Sequence, residues 1–310
     1  MTGIIQLTNA TKKYGSKAAL KNVSLSIEAG VTGLLGPNGS GKSTLIKSLM
    51  GLIALSSGTA TILGHSIPTQ QRRVRDCVGY LPEDDCFIAG LSGIEAVHLM
   101  ARLAGLPSRE GLRRSHEMLD YADVGQERYR LVETYSTGMR QKLKFAQAIV
   151  HDPQIIIMDE PTNGLDPQQR TSMLRRIVQL AEKHHKSILL STHILHDVQA
   201  TCQSVVILAQ GSVRLHDSLS KLSEPSRPGM HVQLREDPTA FIELLSQQSL
   251  MIDKQVDGTL WIHDLQPKSC DQLWQAALQT HVSIVSLRPA TNSLEQIFLD
   301  AVRETNHVRI

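Results

Sequence analysis

Gly36-Pro37-Asn38-Gly39-Ser40-Gly41-Lys42-Ser43-Thr44 follows an apolar pentapeptide, Val31-Thr32-Gly33-Leu34-Leu35, and opens a stretch of helical periodicity over about 42–51. Its spacing is G-x-x-x-x-G-K-[S/T], and a strand before it with a helix after it is the setting in which that spacing has physical meaning. Glycines let backbone N–H groups curl around phosphate oxygens, and the helix N-terminus adds the positive end of its dipole. Lys42 has the reach to meet terminal phosphates, Ser43 offers a hydroxyl to Mg2+, and Thr44 offers a second hydroxyl to a phosphate.

A phosphate site of this kind also needs groups that hold metal and orient water. Ile155-Ile156-Ile157-Met158-Asp159-Glu160 is an apolar strand that ends in two acids. Asp159 falls at the C-terminal edge of that strand, where ligands gather in open α/β sheets. It would hold Mg2+ through water, and Glu160 would polarise the attacking water or take its proton.

Outward from these two segments, residues 1–225 alternate short apolar runs with amphipathic stretches. Ser187-Ile188-Leu189-Leu190 and Val205-Val206-Ile207-Leu208 are further continuous apolar runs, which suit a parallel sheet covered on both faces. Helical periodicity falls at about 167–184 and 194–202. The fold class is therefore α/β. Glu224-Pro225-Ser226-Arg227-Pro228-Gly229 concentrates turn formers and breaks the periodicity, which puts a domain boundary there. Residues 226–310 form a second, smaller domain of different rhythm. His231-Val232-Gln233-Leu234-Arg235 alternates as a strand, 239–247 is helical, and Leu250-Met251-Ile252 and Thr259-Leu260-Trp261-Ile262 flank an Asp257-Gly258 hairpin signal. A helix over 269–279, with Leu273, Trp274, Ala277 and Leu278 clustered, and a strand at Val282-Ser283-Ile284-Val285 complete a β-α-β-β-α-β order of the split, ferredoxin-like kind. A last amphipathic helix begins at about Ser293.

Composition narrows the function classes. With 32 Lys plus Arg against 30 Asp plus Glu, the chain lacks the basic excess of a nucleic-acid surface. Arg72-Arg73, Arg113-Arg114, Arg175-Arg176 and the lysines at 183 and 186 read as solvated helix faces. No apolar run comes near the ~18 residues that span a bilayer, and the N-terminus has no basic flank or long apolar stretch of a secretory signal. Cys77, Cys86, Cys202 and Cys270 have no metal-ligand spacing, so they read as buried, reduced thiols of a cytoplasmic protein.

Further segments, in order, give the chain a family resemblance. Tyr135-Ser136-Thr137-Gly138-Met139-Arg140-Gln141 is similar to the signature sequence of ABC ATPases, with Thr137 and Met139 departing from the usual Leu-Ser-Gly-Gly-Gln. Lys12-Lys13-Tyr14-Gly15, Val78-Gly79-Tyr80-Leu81-Pro82-Glu83, Asn163-Gly164-Leu165-Asp166 and Ser191-Thr192-His193 also match in position. Over roughly residues 4–222 the chain resembles the ATP-binding subunit of an ABC transporter. The resemblance implies a P-loop NTPase domain with a helical subdomain, binding ATP and Mg2+ and hydrolysing ATP.

The resemblance also implies roles. Residues 36–44, meaning Gly36, Pro37, Asn38, Gly39, Ser40, Gly41, Lys42, Ser43 and Thr44, would cradle the phosphates, and Tyr14 would stack on adenine. Ser136 and Gly138 would contact the γ-phosphate held by an opposite subunit, and Asp166 would act across that interface. Glu83, where the family commonly has glutamine, would approach Mg2+ through water, so the metal set is Ser43, Asp159 and Glu83. Glu160 and His193 would be catalytic, His193 as the switch that reaches the γ-phosphate. The Leu-Pro-Glu form and the closing Ser293-Leu294-Glu295-Gln296-Ile297-Phe298-Leu299 resemble the exporter branch that handles drugs, antibiotics, lipids and polysaccharides. The implied partners are a separate transmembrane permease and a second ATP-binding subunit, identical or related, at the cytoplasmic face of the cell membrane, with no nucleic acid. Residues 226–310 would then regulate or dimerise.

The rival reading is a soluble ABC ATPase that acts on DNA or the ribosome. The DNA-repair type carries a long coiled coil between the halves of its site, yet only 116 residues separate Lys42 from Asp159, without sustained heptads. A GTPase or small P-loop kinase has no use for the signature segment, Asp166 or His193.

Overall fold

A computed structural model of the chain describes residues 3–224, 229–248, 250–255, 257–265, 270–290 and 292–303. In chain order the elements are β1 (Ile5–Tyr14), β2 (Lys17–Ile27), β3 (Val31–Leu35), α1 (Lys42–Leu49), β4 (Ser57–Ile62), β5 (His65–Ile67), α2 (Gln71–Cys77), β6 (Val78–Leu81), α3 (Gly93–Leu103), α4 (Ser108–Tyr121), α5 (Thr137–Ile149), β7 (Ile155–Asp159) and α6 (Pro167–His184). They continue with β8 (Ser187–Thr192), α7 (Leu195–Thr201), β9 (Ser204–Ala209), β10 (Ser212–Ser218), α8 (Leu219–Ser223), β11 (Gly229–Leu234), α9 (Thr239–Gln247), β12 (Ile252–Lys254), β13 (Leu260–His263), α10 (Asp271–Thr280), β14 (Ile284–Pro289) and α11 (Leu294–Arg303). The chain divides into two units, Met1–Leu219 with Phe298–Ile310, and Ser220–Ile297. The expected boundary residues 225–228 lie outside the described residues.

The larger unit holds a six-stranded sheet in the order β10-β9-β3-β8-β7-β6, parallel except at the β10 edge. Its central strands are buried along their whole length, as strands covered on both faces must be. A second sheet, β2-β1-β4-β5, is antiparallel. Helix α1 fills the space between the sheets. Its Leu45, Ile46 and Leu49 join Leu7, Val23 and Ile62 of one sheet and Leu34, Ile157 and Leu189 of the other in one core. Helix α3 starts at Ser92, whose backbone N–H donates to the Glu95 carboxylate at 2.8 Å and so satisfies an orphan donor of the first turn. It packs on α4 and α5 through Val97, Ala101, Leu119 and Phe145, all fully buried, and these three helices form the helical part of the unit.

The smaller unit has the expected β-α-β-β-α-β order. Its antiparallel sheet runs β12-β13-β11-β14, the strand order of a split βαβ, ferredoxin-like unit. Met230, Val232, Leu260 and Ile262 point from the sheet onto Phe241 and Leu245 of α9 and Leu273 and Ala276 of α10. Strand β12 begins at Ile252, two residues later than its alternation suggests. On α10, Leu273 and Ala277 are buried while Trp274 and Leu278 are exposed, so the expected four-residue cluster is only half a core face. The cysteines are also not uniformly buried. Cys202 is, but Cys86 is exposed on the loop after β6.

Candidate functional site

The strand register gathers the site. β3, β8 and β7 are parallel neighbours, with Leu35 beside Thr192 and Asp159 beside Ser191. The phosphate-loop segment, His193 and Glu160 therefore all leave the sheet at one C-terminal edge, where α/β sheets bind ligands.

The loop at 36–41 must be glycine at its tightest point. A Cβ on Gly36 would sit 2.3 Å from the Leu208 carbonyl, and Gly41, which enters α1, has φ 111°. Lys42 opens α1 and folds back. Its buried Nζ donates to the Gly36 carbonyl at 2.8 Å and lies 3.8 Å from Glu160 Oε1. The Ser40 hydroxyl is buried and has no hydrogen-bond partner among the described residues, an orphaned polar group inside the cradle that a phosphate-bearing ligand fits.

Asp159 closes β7 at 1% exposure, and its Oδ1 accepts from Ser191 Oγ at 2.8 Å. Glu160 has φ 50°, a left-handed conformation that costs a non-glycine residue about 1–3 kcal/mol and that clusters at functional sites. Its backbone N–H donates to the Ser191 carbonyl at 3.0 Å, which fixes the turn. The carboxylate then stands between the Lys42 ammonium and the His193 ring, whose Nδ1 is 3.0 and 3.1 Å from its two oxygens.

Lys42, Ser43, Thr44, Glu83 and Glu160 line one open cleft of about 920 Å³, with Tyr14 at its side. The Tyr14 ring is half exposed, with Lys12 Nζ 5.0 Å from its centroid. Lys17 and Lys21 add positive charge to the same wall. Burial, and after it the carboxylates of Asp159 and Glu160, raise the Glu83 carboxyl above its ordinary range. Among the described residues no group of three His, Cys, Asp or Glu could hold a metal alone. Mg2+ commonly takes one or two protein ligands and completes its shell with phosphates and water; the Ser43 hydroxyl on the cleft wall and the Asp159 carboxylate at the end of β7 are oxygen donors of the kind it takes.

Ser136, Gly138 and Asp166 do not line the cleft. Ser136 caps α5, its Oγ accepting from the Met139 N–H at 3.3 Å, and Asp166 caps α6 by accepting from the Gln169 N–H at 2.8 Å. The two caps adjoin. A Cβ on Gly138 would meet the Gln169 side chain at 2.3 Å, and one on Gly164 would meet Thr137 at 2.7 Å. Residues 136–138 and 163–166 thus form their own surface around two helix N-termini.

Two residues of α5 were not singled out in the sequence. Gln141 is buried, and its Nε2 donates to the carbonyls of Glu160, Pro161 and Asn163 at 3.2–3.4 Å. Lys144 is buried beside the Glu83 loop. Both are polar residues at the spacing of the apolar helix face that carries Gly138 and Ala148, and that mismatch is the signal that marks them.

The ABC transporter family profile matches residues 20–163. The ABC transporter ATP-binding protein YdbJ of Bacillus subtilis is 32% identical over 96% of this chain and 95% of its own length. The bacitracin transport ATP-binding protein BcrA of Bacillus licheniformis is 29% identical over 97% and 98%. A dimeric bacterial ABC transporter cassette superposes with a TM-score of 0.65 at 26% identity, covering 69% of this chain and 98% of that one. The same cassette in a post-hydrolysis state bound to ADP and Pi superposes at 0.64 over the same shares. The soluble DNA or ribosome ATPase gains no support from these relatives. With the phosphate loop, the paired acids and His193 on one sheet edge, the chain belongs to the ATP-binding proteins of ABC transporters and is an ATPase.

Proposed function

We propose that the chain works as one half of a head-to-tail pair that binds two ATP molecules and drives a separate membrane-embedded permease in the export direction. The observation that carries this reading is the separation of Ser136 and Gly138 from the cleft. A helix N-terminus capped by Ser136 suits an anion, and within one chain it has no phosphate to meet. A second copy turned head to tail supplies one, with Asp166 beside the same contact.

In the cleft, Tyr14 stacks on the base, and the N–H groups of residues 36–44 and the Lys42 ammonium hold the phosphates. Glu160 accepts a proton from water as that water's oxygen bonds to the γ-phosphorus and the bond to the β–γ bridging oxygen breaks. His193 orients the Glu160 carboxylate through Nδ1 and carries its other ring nitrogen toward the γ-phosphate. Ser43 and Asp159, with Glu83 nearby through water, would hold Mg2+, which would supply neutralisation of the phosphate charge. Closure on ATP and release after hydrolysis give the stroke.

Export of a drug, antibiotic, lipid or polysaccharide is supported by the relatives' names, which include bacitracin transport, linearmycin resistance in Bacillus subtilis and Nod factor export in Cupriavidus metallidurans. No helix among the described residues is long and apolar enough to cross a membrane. In this reading the permease is a separate chain, and this one lies against the cytoplasmic face. Residues 1–225 are the motor, and 226–310 are a regulatory or dimer-contact domain. The test is a tagged pull-down from detergent-solubilised native membranes with partners identified by mass spectrometry. A polytopic membrane protein in near-equal amount is expected. Recovery with ribosomes or DNA-bound proteins alone would overturn the transport reading and leave the ATPase in place.

A further inference from the structure

Arg140 and Lys144 stand one helical turn apart on α5 and reach the same carboxylate. Arg140 Nη1 donates to Asp85 Oδ2 at 2.9 Å, and Lys144 Nζ lies 3.6 Å from Asp85 Oδ1. Lys144 also donates to the carbonyls of Pro82 and Glu83, at 3.1 and 3.0 Å. Its side chain is only 4% exposed. A lysine is almost never buried this far unless it is paired, and an apolar residue would fill the same helix position with no charge to desolvate. Burial accordingly lowers the Lys144 ammonium below the usual lysine range, and Asp85 opposes that pull.

The helix that carries this ammonium begins at Ser136, and the backbone it grips is that of Glu83, which lines the cleft with Lys42 and Glu160. One rigid element thus joins the surface at 136–138 to the loop at 82–85. We infer that Lys144 is a positioning residue: it ties the Glu83 loop to α5, so that contact of residues 136–138 with a second copy's nucleotide is transmitted to Glu83 in the chain's own cleft. This rests on the head-to-tail pair proposed above.

The test uses the full chain carrying Glu160→Gln and the exposed thiol of Cys86, which directly follows Asp85. Two quantities are followed with and without ATP: pairing, by light scattering, and the maleimide modification rate of Cys86, by peptide mass spectrometry. With Lys144 present, ATP is expected to change the Cys86 rate about fivefold. With Lys144→Met the chain still pairs on ATP, but the Cys86 rate is high and no longer responds. Lys144→Arg restores part of the response. Asp85→Asn, a surface change that leaves the core intact, weakens it in the same direction and decides the matter if the methionine variant does not fold. A Lys144→Met chain that pairs and keeps the full Cys86 response overturns the inference, as does a parent chain that pairs without any response. Absence of pairing in the parent removes the head-to-tail reading itself, and the scattering arm distinguishes that failure.

Discussion

His193 Nδ1 lies 3.0 Å from Glu160 Oε2, across the ends of two adjacent parallel strands. Glu160 is nearly inaccessible while the His193 side chain is half exposed, so the pair presents a buried carboxylate held by a ring that still reaches solvent. Removing the ring should therefore leave nucleotide binding alone and disturb the carboxylate's aim. His193→Ala is expected to keep ATP affinity within about twofold while kcat falls about 100-fold. Glu160→Gln should lower kcat at least as far and leave an ATP-bound dimer visible by size exclusion. Titration with a fluorescent ATP analogue, set beside phosphate release, separates the two effects. A His193→Ala chain with unchanged turnover would remove the histidine from the chemistry.

Glu83 brings a carboxylate into a cleft that already holds Glu160, with Asp159 nearby. Its carboxyl holds its proton more firmly in the folded chain than in the unfolded one, through burial and the neighbouring Asp159 and Glu160. The stability this group contributes is fully present below the ordinary carboxylate range and is lost as pH rises through the raised value. Glu83→Gln should therefore match the parent chain at about pH 4 and melt higher than it at about pH 7.5. In EDTA the same change should also tighten ATP binding a few-fold, because one negative charge leaves the neighbourhood of the phosphates. Thermal melts at the two pH values and an ATP titration without metal check both. Equal melting points at both would show that the carboxylate costs the fold nothing.

Much of this architecture was legible in the residues. Val31-Thr32-Gly33-Leu34-Leu35 running into Gly36 specifies strand, loop and helix together, because the glycines, the lysine and the apolar run each exclude other settings. The α6 helix reads cleanly because Asp166 and Pro167 mark its start and an apolar stripe runs to Leu180. What was not legible lies where tertiary contacts override a local pattern. Trp274 and Leu278 fit a helix stripe, but β11 and β13 fill only the width taken by Leu273, Ala276 and Ala277. Cys86 follows three acids on a surface loop, and residue type alone suggested burial. At the site, the φ of 50° at Glu160 leaves no periodic trace, and the polar Gln141 and Lys144 on an apolar helix face mark themselves without naming their partners, since a backbone oxygen has no letter in the sequence.

Gln141 is the residue that holds the strained turn from below. One amide nitrogen serves three carbonyls at 160, 161 and 163, all long bonds in a buried setting. Gln141→Leu keeps the volume and leaves those carbonyls without their shared donor. The expected loss is about 1–3 kcal/mol of folding free energy, together with a lower kcat, because the Glu160 turn loses its support. Urea unfolding gives the first and steady-state hydrolysis the second. A variant that is destabilised yet turns over normally would confine Gln141 to the fold.

Asp197 makes the strongest case for a charge retained to set geometry. It is 1% exposed on α7, its carboxylate accepts from Thr162 Oγ1 at 2.6 Å and from Arg170 Nε at 2.7 Å, and Arg170 Nη2 pairs with the same oxygen as Nε at 2.6 Å. Thr162 lies two residues beyond Glu160, so the network ties the Glu160 turn to α6 and α7. Asp197→Ala strands a buried hydroxyl and a guanidinium, and breaking a buried pair costs about 3–5 kcal/mol. Arg170 is 28% exposed and can turn to water, which places the expected loss near the lower end, about 3 kcal/mol. Asp197→Asn should cost less, because its Oδ1 can still accept from Arg170 and its NH2 can donate to the Thr162 hydroxyl, leaving only the Arg170 charge without its counter-ion. Replacing Arg170 and Asp197 together by Met and Leu should recover most of the urea midpoint without recovering kcat, if the pair positions the turn rather than stabilising the core. Recovery of both would mean that packing alone holds Thr162, and that the buried charge has no role in aiming Glu160.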